Sequence, residues 1–231
     1  GKSGAAIPYT TKTLPFGRAL SKGETKVVKE HIKEGVDVNK IVDSYGSVPV
    51  FIAVSADRIE VVKELIMHKA DLNIKDYKSR TPLLVALENE CFEMAELLVD
   101  SGADPNMGGH ETPLLLSLKK QNLKIARKLI NTGAEVNKLS VYNESPLHVA
   151  AGSGFTEIIE LLILNKAAIN VVDRFGNTPL HRAVLYNRSN AVKVLLQHCA
   201  AKDIVNKDGD TPCDISMRKG LKGISQLLNC K

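Results

Sequence analysis

The sequence predicts an all-α protein built from a repeated pair of short helices, and two observations lead to this prediction. Prolines recur at positions 15, 49, 82, 113, 146, 179 and 212, in steps of 34, 33, 31, 33, 33 and 33 residues. The text around them recurs as well, as in "SRTPLLVAL", "HETPLLLSL", "NESPLHVAA" and "GNTPLHRAV". Self-similarity at a period of roughly 20 to 50 residues is the signature of repeat architectures, in which stacked units share one core.

The recurring proline predicts the start of the first helix in each unit. Proline is tolerated in the first turn because its missing N–H would be unsatisfied there in any case, and the preceding Thr or Ser is a good N-cap. Alanine near the centre of this helix lets neighbouring units approach closely, and it recurs at Ala53, Ala86, Ala150 and Ala183.

A second phrase after each proline, such as "FEMAELLVDSGADPN" or "LKIARKLINTGAEVN", predicts the second helix. Its apolar residues recur at spacings of three and four, and Gly-Ala at 102–103 and 133–134 supplies the preferred C-terminal cap. Three units carry another residue in place of this glycine, which we expect to affect local stability: Lys69, Lys166 and Cys199. The polar, turn-rich segment that leads to the next proline predicts an exposed hairpin.

The phrase D-x-x-G-x-T-P-L-H-x-A-A, followed by I-V-x-x-L-L-x-x-G-A-x-V-N at a period of 33, resembles the ankyrin repeat. The resemblance covers about residues 10–231 and implies an all-α solenoid of stacked helix-turn-helix units with protruding β-hairpin loops. A single ankyrin repeat domain is expected, with residues 1–9 as an N-terminal extension or an expression remnant. Its repeats are expected at about 10–42 (degenerate in its first half), 43–75, 76–106, 107–139, 140–172, 173–205 and 206–231 (a C-terminal cap).

Composition excludes several classes of protein. No apolar stretch approaches the roughly 20 residues of a transmembrane helix, and the first residues contain no apolar run typical of a secretory signal. The net charge of +5 is dispersed, which makes nucleic-acid binding a weak alternative. The four cysteines are scattered without a C-x-x-C pair, so we expect free thiols and a cytoplasmic or nuclear location.

His148 and His181 follow Pro-Leu in two repeats and are the candidates for chemistry. A metal site would need further ligands, and no unit provides a Cys or a carboxylate at matching positions. The ankyrin resemblance implies a structural role, in which the ring bonds backbone of the adjoining loop. We therefore expect no catalytic residue, no metal and no cofactor, and no small-molecule substrate.

Ankyrin proteins typically bind partners on a concave side made of loop tips and first helices, which implies the candidate residues here. Three residues after the prolines, Ile52, Val85, Leu116 and Val149 are expected to form an apolar floor that water can reach. Basic residues follow in the second half of the chain at Lys119, Lys120 and Arg182, with Tyr186 beside them.

Loop tips carry four of the ten Tyr and Phe residues in places where folding does not require a large ring. Two interpretations are open: the rings pack against the next hairpin, or they anchor a partner, since rigid aromatic residues dominate binding hot spots. The tip candidates are Tyr45, Tyr77, Lys78, Tyr142 and Phe175.

The preferred function is a non-enzymatic interaction module, a scaffold or adaptor that holds a partner peptide or domain with apolar anchors and some acidic residues. One alternative is the targeting domain of a larger enzyme or ubiquitin-ligase adaptor. Another is a binder of nucleic acid or anionic lipid through dispersed basic clusters.

The shortest step between prolines lies at "NMGGHETP", which is two residues shorter than the equivalent loops. A shorter loop extends less far, so we expect a notch in the row of hairpins, flanked by Tyr77 and Tyr142. It either admits a partner chain above Leu116 or is a harmless deletion, because length changes in exposed loops cost little.

Overall fold

A computed structural model of the chain describes residues 13–108 and 111–230, and within these two ranges every regular element is a helix. The predicted all-α class is confirmed. None of these helices combines the length and the apolar character that crossing a membrane requires. The helices are α1 (Thr13–Lys22), α2 (Thr25–Lys33), α3 (Pro49–Ser55), α4 (Ile59–Met67), α5 (Pro82–Glu88), α6 (Phe92–Asp100), α7 (Pro113–Lys119), α8 (Leu123–Asn131), α9 (Pro146–Ser153), α10 (Thr156–Leu164), α11 (Pro179–Leu185), α12 (Ser189–Gln197), α13 (Pro212–Arg218) and α14 (Lys222–Leu228).

The chain divides into two compact units, unit 1 (Gly1–Gly109) and unit 2 (His110–Lys231). In unit 1, α1, α3 and α5 stack in a row, and α2 packs on α4. In unit 2, α7, α9, α11 and α13 form one row while α8, α10, α12 and α14 form the other. Each unit is therefore a stack of helix pairs, as the repeats predict, and a single domain over residues 10–231 stays a prediction.

From α3 onwards the first helices begin at the predicted proline, which occupies the first or second helical position. The helix α1 begins at Thr13, two residues before Pro15, so the prediction is wrong there. Thr81 Oγ1 accepts a hydrogen bond from the Leu84 amide at 3.4 Å, and Thr112 Oγ1 accepts one from Leu115 at 3.2 Å. The central alanines are fully buried, which confirms their role as close-packing positions: Ala53, Ala86, Ala150 and Ala183.

Second helices end in the left-handed backbone region. Gly102 and Gly133 have φ of +91° and +97°, so their predicted capping role is confirmed. Where glycine is replaced, the side chains adopt the same region, with φ of 62° at Lys69, 68° at Lys166 and 62° at Cys199. The left-handed conformation costs a residue with a Cβ roughly 1–2 kcal/mol, and this is the physical reason why these replacements are expected to lower local stability.

The loops between repeats are tight turns, and no strand is assigned to them in the described ranges. Asp173 Oδ1 accepts hydrogen bonds from the amides of Phe175 and Asn177 at 2.8 and 3.0 Å, and its own amide donates to the Asn177 carbonyl. Adjacent turns are joined by single backbone bonds, such as Arg174 N–H to the Tyr142 carbonyl at 3.1 Å. The expected hairpin loops are thus turns held by aspartate side chains and isolated bonds rather than by ladders.

Within each unit, an asparagine that follows the second helix bonds to the backbone of the next repeat. In unit 2, Asn137 Oδ1 accepts from the Ala168 amide at 2.8 Å while Asn137 Nδ2 donates to the Lys166 carbonyl at 3.0 Å. Asn39 makes the same pair of bonds in unit 1, to Asp71 and Lys69. These bonds fix the register between successive repeats.

The expectation of four free cysteines is wrong for one pair. Cys213 and Cys230 form a disulfide, with Cα atoms 5.7 Å apart, while Cys91 and Cys199 are free. Cys213 lies at the start of α13 and Cys230 follows α14, and the two helices pack against each other. An antiparallel helix pair brings the start of its first helix to the end of its second, which spacing in the sequence does not reveal.

Two expectations concern residues outside the described ranges. The proposed tip of the short loop, Gly109, and the adjacent His110 belong to these, so the notch stays a prediction. Residues 1–12, which include the expected N-terminal extension, also lie outside the described residues.

Candidate interaction surface

His148 is a buried structural residue, as the resemblance implied. Its Nδ1 accepts a hydrogen bond from the Ser145 amide at 3.1 Å, and its Nε2 lies 2.8 Å from the Asn177 carbonyl of the next turn. A backbone N–H can only donate and a carbonyl can only accept, so these partners select the neutral tautomer with the proton on Nε2. Both ring nitrogens are therefore occupied by backbone, which leaves none for a metal or a substrate.

His181 repeats this arrangement one repeat later. Its Nδ1 accepts from the Thr178 amide at 3.1 Å, and its Nε2 lies 3.1 Å from the Asp210 carbonyl. Burial lowers the pKa of both His148 and His181 below the ordinary value of 6.5, against the opposing effect of the carbonyl hydrogen bonds. The lowered pKa and the tautomer selected by the hydrogen bonds both favour the neutral form of the two rings in the folded chain.

The expected apolar floor is interrupted. Ile52 in unit 1 and Val149 in unit 2 are half-buried, as a floor that water can reach requires. Val85 and Leu116 are only 3% and 7% exposed, so the expectation that water reaches them is wrong. The accessible part of the floor is restricted to two helices, α3 and α9.

Ion pairs along the first helix accompany this burial. In α5, Arg80 Nη1 lies 2.7 Å from Glu88 Oε2, and Val85 is three residues before Glu88, on the same helix face. In α7, Lys119 pairs with Glu111, and Leu116 is three residues before Lys119. Each pair joins the residue two before the proline to the residue six after it.

The helix α13 follows the same pattern, whereas α1 and α11 carry Arg18 and Arg182 in place of the apolar residue. Asp210 and Arg218 make the equivalent pair, at 2.6 Å, and Ile215 between them is fully buried. The corresponding positions around α3 hold two serines, and those around α9 hold Glu144 and Gly152, which cannot form such a pair. In the sequence, these pairs are visible as opposite charges two residues before and six residues after the proline.

The expected basic second half is largely neutralised. Glu144 lies 2.6 Å from Arg182 Nη2 and 3.6 Å from Lys119 Nζ. Arg182 Nε is also 3.2 Å from Asp173 Oδ2, in a buried ion pair without hydrogen-bond alignment. Lys120 is half-buried at the C-terminal end of α7. Lys119 and Arg182 are thus paired with carboxylates, and they do not form the free positive surface that was expected to attract an acidic partner.

The aromatic tips of unit 2 are tied together by an arginine. The guanidinium of Arg174 lies over both tip rings, 4.3 Å from the centroid of Tyr142 and 4.5 Å from that of Phe175. The rings remain 51% and 49% exposed. In unit 2, the interpretation that tip rings pack against the neighbouring loop is therefore supported by direct contacts.

The aromatic tips of unit 1 are much more open. Tyr45 is 83% exposed and Tyr77 is 80% exposed, although Lys78 Nζ lies 5.5 Å from the centroid of the Tyr77 ring. Both rings line a cleft of about 360 Å³, which we call the tyrosine cleft. Its other lining residues are Phe51 and Ile52 with Ser21, Gly46, Ser47, Ser55, Ala56 and Asp76.

A second cleft, of about 300 Å³, lies in unit 2 around Val149 and Tyr186. Gly152 allows the Tyr186 ring to lie close, because a Cβ there would be 3.2 Å from ring atom Cδ2. Arg188 Nε donates to the Gly152 carbonyl at 3.0 Å, and the Glu144–Arg182 pair closes the opposite side. This cleft is more polar than the tyrosine cleft, and Tyr186 remains 53% exposed.

Comparison with known proteins agrees with this repeat architecture. A family model described as ankyrin repeats (3 copies) matches residues 16–109, 106–173 and 147–231. An ankyrin repeat domain from Acinetobacter baumannii AYE superposes with a TM-score of 0.73 at 28% sequence identity, covering 81% of this chain and 97% of that one. The ankyrin repeat domain of human ASB11 superposes with a TM-score of 0.70 at 20% identity, covering 93% and 96%, and supports the fold alone.

Curated relatives match over shorter stretches. Alpha-latrocrustotoxin-Lt1a of Latrodectus tredecimguttatus is 33% identical over 103 residues, which are 44% of this chain and 7% of the toxin. The ankyrin repeat, SAM and basic leucine zipper domain-containing protein 1 of Oryctolagus cuniculus is 31% identical over 106 residues, 44% of this chain and 22% of that protein. The chain thus spans less than a quarter of either relative. Ankyrin repeats are a general protein-interaction module, and this chain belongs to the ankyrin repeat family.

Proposed function

We propose that the chain is a non-enzymatic scaffold or adaptor module that binds a peptide or a domain of another protein through the tyrosine cleft of unit 1. The observation that carries the proposal is the pair of exposed rings, Tyr45 and Tyr77, above the half-buried Ile52. Among the described residues, Tyr142 and Phe175 of unit 2 are about half covered, whereas Tyr45 and Tyr77 remain 83% and 80% exposed. Folding therefore accounts less well for the unit 1 rings than partner binding does.

The size of the expected effect follows from the exposure of the rings. An aromatic side chain that is fully covered at an interface removes roughly 150–250 Å² from water, and most of this area is still available at both tyrosines. Such anchors contribute on the order of 2 kcal/mol or more each when they act as hot spots. The small residues Gly46, Ser55 and Ala56 leave room between the rings for a partner side chain.

The chemistry of the partner follows from the charges near the floor. Lys119 and Arg182 are already paired with Glu144, so an acidic partner segment would have to displace that carboxylate. Acidic residues are therefore not a primary requirement for the partner. The cleft around Val149 and Tyr186 is proposed as an additional contact surface of unit 2.

Affinity measurements on an identified partner test this proposal. The partner is isolated on the folded chain, identified by mass spectrometry, purified, and titrated calorimetrically. We expect Tyr45→Ala/Tyr77→Ala to weaken binding by at least about thirtyfold, which corresponds to about 2 kcal/mol. The matched control, Tyr142→Ala/Phe175→Ala, removes two tip rings from unit 2 and is expected to have a smaller effect. Wild-type affinity in the first double variant, with its circular dichroism unchanged, would show that the tyrosine cleft is not the binding surface.

A second candidate function is the targeting segment of a longer protein with another activity. It is favoured by the short share of each curated relative that the chain matches, and one of these relatives, the 2-5A-dependent ribonuclease of Mus musculus, is named as an enzyme. That match is 32% identical over 69 residues, which are 30% of this chain and 9% of the ribonuclease. The full-length coding sequence would decide between a separate module and a targeting segment.

Binding to nucleic acid or anionic lipid stays a further prediction. Retention on heparin that disappears between low and moderate salt would support it, because such binding depends on counterion release. The pairing of Lys119 and Arg182 with Glu144 argues for a weak interaction at most.

A further inference from the structure

In unit 2, an arginine side chain contacts the aromatic rings of two neighbouring loop tips. Arg174 places its guanidinium between the rings of Tyr142 and Phe175, at 4.3 and 4.5 Å from their centroids. A cation over the face of an aromatic ring is attracted by the ring quadrupole within about 6 Å, so both contacts are favourable. The backbone bond from Arg174 N–H to the Tyr142 carbonyl holds the arginine in this position.

Unit 1 presents a comparable pair of rings without the arginine. Tyr45 lies four residues before its proline, as Tyr142 and Phe175 do before theirs. The position of Arg174, five residues before the proline, is occupied in the next repeat of unit 1 by Tyr77 itself. Within residues 13–108, the cation found over either ring is Lys78, at the longer distance of 5.5 Å from the Tyr77 centroid. The two rings therefore face a cleft that no guanidinium of unit 1 occupies.

The charges around the tyrosine cleft favour a cation. Asp43 Oδ1 accepts hydrogen bonds from the Tyr45 and Ser47 amides at 3.0 and 2.8 Å, and among the described residues no cationic side chain forms an ion pair with it. Asp76 lines the cleft but is already paired with Arg80, at 2.7 Å. One carboxylate without an ion pair among the described residues thus lies in the loop that carries Tyr45.

We propose that the tyrosine cleft binds an arginine side chain of the partner protein, whose guanidinium stacks on the exposed rings of Tyr45 and Tyr77. This inference rests on the proposed function and specifies its partner. Arginine suits the site better than lysine because its guanidinium is planar and weakly hydrated, and therefore stacks on aromatic faces. The negative charge of Asp43 adds to the attraction.

Titration with short synthetic peptides tests the inference without the natural partner. The probes are an acetylated, amidated Gly-Gly-Arg-Gly-Gly peptide and two analogues in which citrulline or leucine replaces arginine. Citrulline keeps the planar shape and loses the charge. We expect the arginine peptide to shift the ¹⁵N–¹H resonances of residues 43–47 and 76–78. The citrulline peptide should bind about fivefold to thirtyfold more weakly, as expected for two cation–π contacts at an exposed site.

Substitutions in the chain test whether the arginine peptide binds at the tyrosine cleft. Tyr45→Leu and Tyr77→Leu keep apolar bulk but remove the π face, and should each weaken binding of the arginine peptide. Phe175→Leu removes a tip ring of unit 2 over which Arg174 already lies, and should leave binding of the arginine peptide unchanged. Lys78→Met removes a competing cation from the Tyr77 ring and should strengthen it.

Two results would overturn the inference. One is equal affinity for the arginine and citrulline peptides, and the other is the absence of shifts in residues 43–47 and 76–78. Tighter binding of the leucine peptide at the same resonances would replace the arginine site by an apolar groove. In that case the arginine proposal is wrong, but the proposal that the tyrosine cleft binds a partner still stands. The two proposals are therefore tested independently.

Discussion

Replacing His148 with leucine separates the hydrogen bonds of the ring from its bulk. Leucine is a fair substitute because the chain itself uses Leu84 and Leu115 at the equivalent position. The change leaves the buried Ser145 amide without its acceptor, while the buried Asn177 carbonyl loses one of two donors and keeps the Asp173 amide. An unsatisfied buried group costs about 1–3 kcal/mol, and a lost hydrogen bond costs about 0.5–1.5 kcal/mol. Since the apolar surface of leucine offsets part of the loss, we expect His148→Leu to lower the free energy of unfolding by about 1–3 kcal/mol.

Urea denaturation at pH 7, followed by far-ultraviolet circular dichroism, measures this loss. Leu115→Met is the matched control, because it changes the same helix position without removing a hydrogen bond and should cost less than about 1.5 kcal/mol. If His148→Leu destabilises the chain no more than Leu115→Met does, the bonds to Ser145 and Asn177 do not stabilise the fold and our reasoning is refuted.

The same variant tests the effect of pH. Burial lowers the pKa of His148 and His181 in the folded chain, so the unfolded chain takes up protons first as the pH falls through 6.5. Stability is therefore complete above pH 6.5 and declines below it, until the pH reaches the lowered folded pKa. Each histidine contributes at most about 1.4 kcal/mol per pH unit within this window. His148→Leu should reduce the histidine contribution to the slope, and an unchanged slope would contradict the assignment.

Three further predictions concern stability along the chain. Lys166→Gly should raise the free energy of unfolding by about 0.5–1 kcal/mol, because glycine removes left-handed strain at φ of 68° but loses more backbone entropy on folding; a lower urea midpoint would contradict this. Leu116→Glu should destabilise by about 3 kcal/mol or more, since it buries a charge, whereas Val149→Glu, at a half-buried position, should cost less than about 1 kcal/mol in the same assay. Hydrogen exchange should be fastest in residues 10–42 or 221–231, where a repeat lacks a neighbour on one side, and slowest exchange in residues 10–42 would be incompatible with that view.

Much of the fold is predictable from the sequence because its causes are local. A proline after Thr or Ser starts a helix, and Gly-Ala after an apolar stripe ends one, as the structure has at Thr112 and Gly133. The period of about 33 residues then requires stacking, since a single pair of helices cannot bury its own apolar face. The role of His148 followed from the family resemblance, and its two backbone partners confirm it.

The candidate site depended on contacts that only the tertiary structure brings together. Val85 and Ile52 occupy equivalent sequence positions, but an ion pair between Arg80 and Glu88 accompanies the burial of the first, while two serines leave the second accessible. Tip rings that look alike in the sequence also differ in the fold, because the side chain of Arg174 lies between two of them. Helix starts and ends are determined by interactions within a few residues, whereas exposure and free charge depend on which side chains meet from neighbouring loops and repeats. The sequence by itself therefore determined the repeated helix pair and its caps, and the tertiary structure decided which of its surfaces stay open.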